Sequence, residues 1–264
     1  MLQIILTFVY AFVLRSGDEI SKERSVKMYI DFHSHFLPRI DDGSRNVEES
    51  VKILDEMTAN DTKTIVATPH FYCSEQSVDR FLERRTAAFE KLKPHLKPEH
   101  PEIYFGAEVL YDQALVGYDK LSKLCISGTN WLLLEMPYVQ LTDKIINGVA
   151  EIVDSGDVKV IIAHIERYLN FTSMKELMQL MQLDVVGQIN AKSLTKFSSK
   201  RSCMKLIKSG CVQLLGSDYH RIGRGDVTVN HGYDIIEKKF EGFKNMSEEK
   251  GKAILADEAL ENII

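Results

Sequence analysis

Seven short runs of aliphatic, β-branched and aromatic residues recur along the chain, and each closes on polar residues. They are "YIDFH" (29–33), "TIVATPH" (64–70), "IYFGAEV" (103–109), "WLLLEMP" (131–137), "VIIAHIER" (160–167), "VVGQIN" (185–190) and "VQLLGSDYH" (212–220). Several are almost continuously apolar, the pattern of strands covered on both faces. Helical periodicity fills the gaps between them. In one gap Val47, Val51, Leu54 and Met57 share a face, and Asn46 with Glu49 offers a capping pair at its start. Others are "SVDRFLERRTAAFEKLKPHL", "TDKIINGVAEIVDSG", "SMKELMQLMQLD" and "SSKRSCMKLIKSG". Seven strands mostly alternating with helices predict an α/β fold with a parallel sheet, most simply a barrel close to the (β/α) type. No linker rich in Pro, Gly or Ser divides the runs and no repeat is visible, so one domain is expected from about residue 28 to residue 264.

Residues 1–27 depart from this rhythm. The stretch "LQIILTFVYAFVL" (2–14) is apolar and uncharged. It is short for a bilayer span, and it lacks the basic start and small-x-small cleavage site of a signal peptide. "KERS", Lys22 to Ser25, can be encoded by a purine-rich run containing AAGGAG, and only Val26 and Lys27 separate it from Met28. In a bacterial chain this reads as a translated ribosome-binding site, with Met28 the natural start and 1–27 an extension that is not natively translated. The alternative is a short membrane-associating or partner-binding helix, and membrane contact is expected only in that case.

Composition changes the picture by exclusion. The chain of 264 residues is 44% apolar with a net charge of −5, and its acids and bases interleave. A basic stripe that tracks a phosphate backbone is not evident, so no nucleic-acid partner is expected. Cys73, Cys125, Cys203 and Cys211 are scattered without a C-x-x-C. That suits free thiols in a reducing cytosol, and a cytoplasmic location is expected.

Candidate chemistry concentrates where a parallel barrel puts it, at the C-terminal ends of the strands. Five of the eight histidines lie at or just after a strand: His33, His35, His70, His164 and His220. Asp42, Glu108, Glu135 and Asp218 occupy similar positions. Four carboxylates at one mouth would raise each other's pKa, and bound cations remove that penalty. Residues i and i+2 of a strand point the same way, so Asp31, His33 and His35 share a face opposite Ile30 and Phe32, and Asp218 with His220 repeats the geometry. These nine donors exceed the roughly four that one zinc needs, which implies two ions, or three if carboxylates bridge. Mixed nitrogen and oxygen donors suit manganese, iron or zinc.

The motifs "DFHSH", "TPH", "GAEV", "AHIERY" and "GSDYH", in that order, resemble the polymerase-and-histidinol-phosphatase (PHP) superfamily. "HSHFLPRIDDGS" is similar to its bacterial manganese-dependent tyrosine-protein phosphatases of capsular and exopolysaccharide synthesis. The resemblance covers about residues 28 to 225. It implies a distorted seven-stranded (β/α) barrel of the PHP type with two to three divalent ions, manganese first. It also implies a phosphotyrosine-bearing partner, a cytoplasmic tyrosine kinase of polysaccharide export. By position it implies that His33, His35, Glu108 and Asp218 hold one ion. Glu108, Glu135 and His164 would hold a second, and Asp42, His70 and His220 a third. Arg167 would bind phosphate, with Asp218 and His220 beside it as catalytic residues and Arg221 or Arg224 as a second phosphate contact. Arg39 stands where relatives often carry glycine and Ile165 where some carry proline, and the segment after Arg221 lacks a Pro-rich loop. Arg39 therefore either contacts substrate or is solvated.

The implied chemistry is in-line attack on phosphorus by a metal-activated water, with Arg167 helping to neutralise the phosphoryl group. A cysteine route is disfavoured, because no cysteine has an arginine six positions on, as C-x5-R requires. Two other readings keep the fold. One is a small-molecule phosphatase such as histidinol-phosphatase, and the other is a scaffold without activity, which would be expected to have lost some of the nine donors.

Overall fold

Every strand pairing is parallel, as the near-continuous apolar runs require. The computed structural model describes residues 29–264. The extension 1–27 and the start expected at Met28 therefore lie outside the described residues. The strands are β1 (Tyr29–Ser34), β2 (Thr62–Ala67), β3 (His70–Phe71), β4 (Glu102–Phe105), β5 (Glu108–Leu110), β6 (Trp131–Glu135), β7 (Lys159–Ile162), β8 (Val185–Asn190) and β9 (Leu214–Gly216). They form a three-stranded sheet, β1-β2-β4, and a curled six-stranded sheet, β3-β5-β6-β7-β8-β9.

This differs from the expected seven strands for a local reason. The runs 64–70 and 103–109 are each broken by two residues, Thr68–Pro69 and Gly106–Ala107. Pro69 has no N–H to continue a ladder. The seam is bridged nonetheless, by Gly106 N–H to Ala67 O at 2.8 Å and Glu108 N–H to Pro69 O at 3.1 Å. At the other side His35 N–H donates to Tyr219 O at 2.9 Å and Asp218 N–H to His33 O at 2.8 Å. First and last strands are thereby joined beyond their ends.

The helices are α1 (Val47–Ala59), α2 (Val78–Leu92), α3 (Asp143–Asp154), α4 (Ile165–Tyr168), α5 (Met174–Leu180), α6 (Ala191–Thr195), α7 (Phe197–Lys208), α8 (Val229–Glu237) and α9 (Phe243–Leu255). The Asn46 side chain caps α1 by accepting from Glu49 N–H at 2.8 Å, worth about 1 kcal/mol. Glu49 does not return the bond; its carboxylate accepts from Arg45 N–H and Nε–H instead. A reciprocal capping box forms at α5, between Ser173 and Glu176. Among the described residues no helix is long and apolar enough to cross a membrane.

Strand alternation sorts the core into two clusters. Trp131 and Leu133 of β6 join Ile161, Val186, Leu214 and Phe32 in one. Leu132 and Leu134 join Val160 and Ile162 and the helix residues Ile146 and Val149 in the other. Glu135 continues the Trp131–Leu133 face by the two-residue period. Parallel direction then brings the polar ends of all the strands to one mouth.

Candidate metal centre

Glu108 occupies the middle of that mouth. Its Oε2 lies 3.1 Å from His33 Nε2, 3.2 Å from His35 Nε2 and 3.0 Å from His70 Nδ1. Its Oε1 lies 2.8 Å from His164 Nε2, which is itself 3.5 Å from Glu135 Oε1. Asp218 Oδ1 is 3.5 Å from His33 Nε2 and 3.4 Å from His35 Nε2. Asp42 Oδ1 faces His70 Nε2 at 3.5 Å and His220 Nε2 at 3.3 Å. All nine candidate donors therefore meet at one place.

Their grouping departs in part from the expected division. His33, His35 and Asp218 cluster, and Asp42, His70 and His220 cluster with His35 added. His164 groups with His33 and Glu108, however, and Glu135 with His70 and Glu108. Glu135 reaches His70 because both strand ends flank β5, which carries Glu108 between them.

The donor set fits cations. Glu108 Oε2, His70 Nδ1 and His164 Nδ1 are buried without a hydrogen bond, although three imidazole nitrogens crowd Glu108 Oε2. Such burial costs several kcal/mol unless something else satisfies the atoms, roughly 1–3 kcal/mol for each neutral group and more for a charge. Asp41 Oδ2 accepts from His35 Nδ1–H at 2.8 Å. The Asp218 carbonyl accepts from His220 Nδ1–H at 2.9 Å. Both bonds turn an Nε2 atom into the cluster. His33 Nε2 and His35 Nε2 are 3.0 Å apart, close enough that one cation could be held by both.

The electrostatics agree. Burial pushes the His164 pKa down to about 4 and lowers that of His220, so both imidazoles are neutral near pH 7. Burial also pushes Glu135 up to about 7, reinforced by the Glu108 charge. Burial opposes the charge on His35, but the Asp41 carboxylate prevails and raises its pKa well above the usual value. Burial likewise opposes charge on His70, and the carboxylates of Asp42 and Glu108 overcome it, raising it to about 10. Carboxylates here hold protons or protonated imidazoles as their counter-charges, the role bound cations would take over.

A supporting layer holds these donors, and sequence reading missed most of it. Asp41 also accepts from His70 N–H at 3.1 Å and Gly43 N–H at 2.9 Å. Gln188 Oε1 accepts from His164 N–H at 2.9 Å and lies 3.3 Å from His33 Nδ1. Gln188 Nε2 donates to Asn190 Oδ1, and Asn190 Nδ2 to Asp218 Oδ2. The signal was present in "VVGQIN", where two amides sit at i and i+2 on a buried strand. Asp31 shares the His33 face as expected, yet its Oδ1 is taken by Ser217 N–H and His33 N–H. His164 and Asp218 adopt φ of 30° and 52°, a left-handed backbone costing about 1–3 kcal/mol per residue, which the surrounding bonds must hold.

The cluster opens into a cavity of about 900 Å³, with His70, Tyr138, Arg167, His220 and Arg224 in its wall. Arg167 Nη2 donates to Asp218 Oδ2 and Nη1 to the Tyr138 hydroxyl at 3.3 Å. The Asp218 charge raises the Arg167 pKa against the effect of burial. Arg221 is not in the wall; its Nε–H donates to the Asp42 and Gly43 carbonyls at 3.0 Å each and ties down the Asp42 loop. Arg39 is exposed with φ 59°, also outside the wall.

A family model described as capsular polysaccharide synthesis, CpsB/CapC, matches residues 29–257. The chain is 29% identical over 227 residues to tyrosine-protein phosphatase CpsB of Streptococcus pneumoniae, covering 80% of this chain and 90% of that protein. It is 24% identical over 221 residues to tyrosine-protein phosphatase YwqE of Bacillus subtilis (strain 168), covering 80% and 85%. The fold matches a solved structure from work on YwqE and CpsB, described there as unique metal-dependent tyrosine phosphatases. That match has a TM-score of 0.75 at 20% identity and covers 88% of this chain and 96% of the other.

Proposed function

Since the chain belongs to the CpsB/CapC family of capsular polysaccharide synthesis, we propose that it is a metal-dependent protein-tyrosine phosphatase with its centre on Glu108. The observation that carries this reading is the crowding of three imidazole nitrogens within 3.2 Å of a buried Glu108 oxygen that receives no hydrogen bond. Two to three divalent ions would be held by His33, His35, Asp42, His70, Glu108, Glu135, His164, Asp218 and His220, with manganese the first candidate. When bound, such ions lower the pKa of water and neutralise charge on a transferring phosphoryl group.

The residues of the chain supply the rest. Arg167 presents a planar fork to the cavity, suited to two phosphate oxygens. Asp218 holds that fork in place through Nη2, and Tyr138 steadies Nη1. His220, neutral at Nε2, faces the same space beside Asp42. Asp41, Gln188 and Asn190 orient the donors, which limits rearrangement during turnover. A phenolate leaving group with pKa of about 10 needs less protonation than an alkoxide. Thiol chemistry is a poor substitute, since Cys125, Cys203 and Cys211 are buried and burial pushes the Cys125 thiol up to about 12.

The finer reading follows the same family. Strands β2 with β3, and β4 with β5, each count as one interrupted strand, which gives a distorted seven-stranded barrel of the PHP type over 28–264. The substrate is phosphotyrosine on a cytoplasmic tyrosine kinase of polysaccharide export, and the enzyme works in the same compartment. The test is elemental analysis of protein never exposed to chelator, with hydrolysis of a phosphotyrosyl peptide and of histidinol phosphate side by side. Two or more ions per chain and preference for the peptide are expected. One ion or none, or preference for the small phosphate, overturns the reading.

A further inference from the structure

Helix α7 carries a cationic face that the metal centre does not use. At 100° per residue, Phe197, Lys200, Arg201, Lys205 and Lys208 fall within an arc of about 140°. Lys239, just beyond α8, lies alongside. All four basic residues of the helix are exposed, and Phe197 is 97% exposed at its first turn. No acid occurs in α7 and none lines the shallow hollow beside it. Among the described residues no carboxylate pairs with these cations, whereas Lys97, Lys120, Lys159 and Lys192 each have one. This local excess opposes the chain's net charge of −5.

The arrangement works against the helix itself. Lys196 is its N-cap and makes no side-chain cap bond. Lys200 then closes the first turn, where the helix dipole favours acids, although Lys205 and Lys208 sit in the last turn, where it favours cations. Arg201 and Lys205 repel at i, i+4, as do Lys205 and Lys208 at i, i+3. A negatively charged partner relieves all three penalties at once.

We propose that this face docks on an anionic lipid surface. An exposed phenylalanine ringed by cations is the composition of interfacial binding, with the ring at headgroup depth and the cations on lipid phosphates. Four of the five cations are lysines, flexible point charges suited to a diffuse negative surface rather than to bidentate recognition of one site. The flank of α7, through Ser198 and Ser202, lines a hollow that shares Arg167 and Lys192 with the metal cavity. The proposal does not depend on the phosphatase reading.

The test is co-sedimentation of the full chain with vesicles of phosphatidylglycerol and phosphatidylcholine, or of phosphatidylcholine alone, at low and high salt. The wild type should prefer the anionic vesicles and lose that preference as salt rises. Lys200→Glu/Arg201→Glu/Lys205→Glu should weaken partitioning to them by at least about tenfold, and Phe197→Ser should weaken it on its own. Thermal unfolding and peptide hydrolysis serve as fold controls. If the triple variant does not fold, Lys208→Gln/Lys239→Gln gives a milder reading, and it too should weaken anionic partitioning. Equal binding to both vesicles would assign contact to residues outside α7 and overturn the proposal. So would anionic binding unchanged by the substitutions, or wild type that binds duplex DNA or polyglutamate but no vesicle.

Discussion

Asp41 Oδ2 accepts a hydrogen bond from His35 Nδ1–H at 2.8 Å and, on the same oxygen, one from the backbone N–H of His70 at 3.1 Å. One carboxylate thus sets the tautomer of one donor and the strand position of another. Outer partners of this kind are worth roughly 10–100-fold in metal affinity. Asp41→Ala is expected to keep its fold and weaken metal binding by that factor, measured by titration of metal-stripped protein. Unchanged affinity would reduce Asp41 to a loop-capping residue.

Gly216 lies against the donors from the far strand. A Cβ there would stand 2.5 Å from His33 Cβ and 2.7 Å from Gln188 Nε2. Gly216→Ala should therefore displace His33, lower metal content, and cost about 1–3 kcal/mol of stability, the range for overpacking a filled interior. Metal analysis and thermal unfolding of the same preparation check it. A variant with full metal content and wild-type melting would contradict the tight packing.

Arg167 touches Asp218 yet has no lone pair to offer a metal. Arg167→Ala is expected to retain metal and fold while turnover falls at least about tenfold, or 1.4 kcal/mol of transition-state stabilisation. His33→Ala should lose both metal and turnover. If Arg167→Ala turns over like wild type, the phosphate contact belongs to Arg224, the other arginine in the cavity wall.

Glu176 gives a pH signature away from the centre. Its carboxylate accepts from Gln140, Ser173 N–H and Thr172, and these bonds, Gln140 first, lower its pKa to about 2 from the ordinary 4.5. The folded value lies below the unfolded one. The stabilisation is therefore complete above about pH 4.5 and is lost as pH falls toward 2. Melting curves of wild type and Glu176→Gln should differ above that window and converge below it. A gap independent of pH would exclude the carboxylate charge as its source.

A chain begun at Met28 should fold and hydrolyse substrate as the full chain does. Tyr29 is already anchored, its N–H on Asp61 O at 3.1 Å and its ring stacked on Tyr233 at 5.3 Å. Lower melting temperature or activity in the shorter chain would show that 1–27 contributes to the domain.

The sequence marked the residues that the fold brings to one mouth better than it marked how they group there. His33 and His35 could be read from a two-residue period, and strand-end positions marked His70, Glu108, Glu135 and His164. Pro69 and Gly106 mark the breaks at Thr68–Pro69 and Gly106–Ala107, but each break is only two residues long and pairing resumes directly after it, so each run reads as one strand. Asp41 was hidden by its neighbour: in "DD" nothing local tells which carboxylate turns inward. That Glu135 lies near His70 as well as His164 depends on which strands flank β5, and that is tertiary information. The α7 face escaped notice because charge was averaged over the chain, where acids elsewhere cancel it.

The meeting of His33 with Asp218 sets an order on the molecule's life. Among the described residues, one comes from the first strand and the other from just after the last, and Asp218 N–H closes on the His33 carbonyl. A nascent chain still lacking its final strand cannot assemble this donor set, however much of the sheet has formed. If these residues hold the proposed ions, ion capture becomes a completion signal, with misfolded or truncated chains left metal-poor and inactive rather than partly competent. Ions bound across that junction would also fasten the two ends of the sheet together, so chelation should loosen the seam between β1 and β9 before it loosens the sheet's middle.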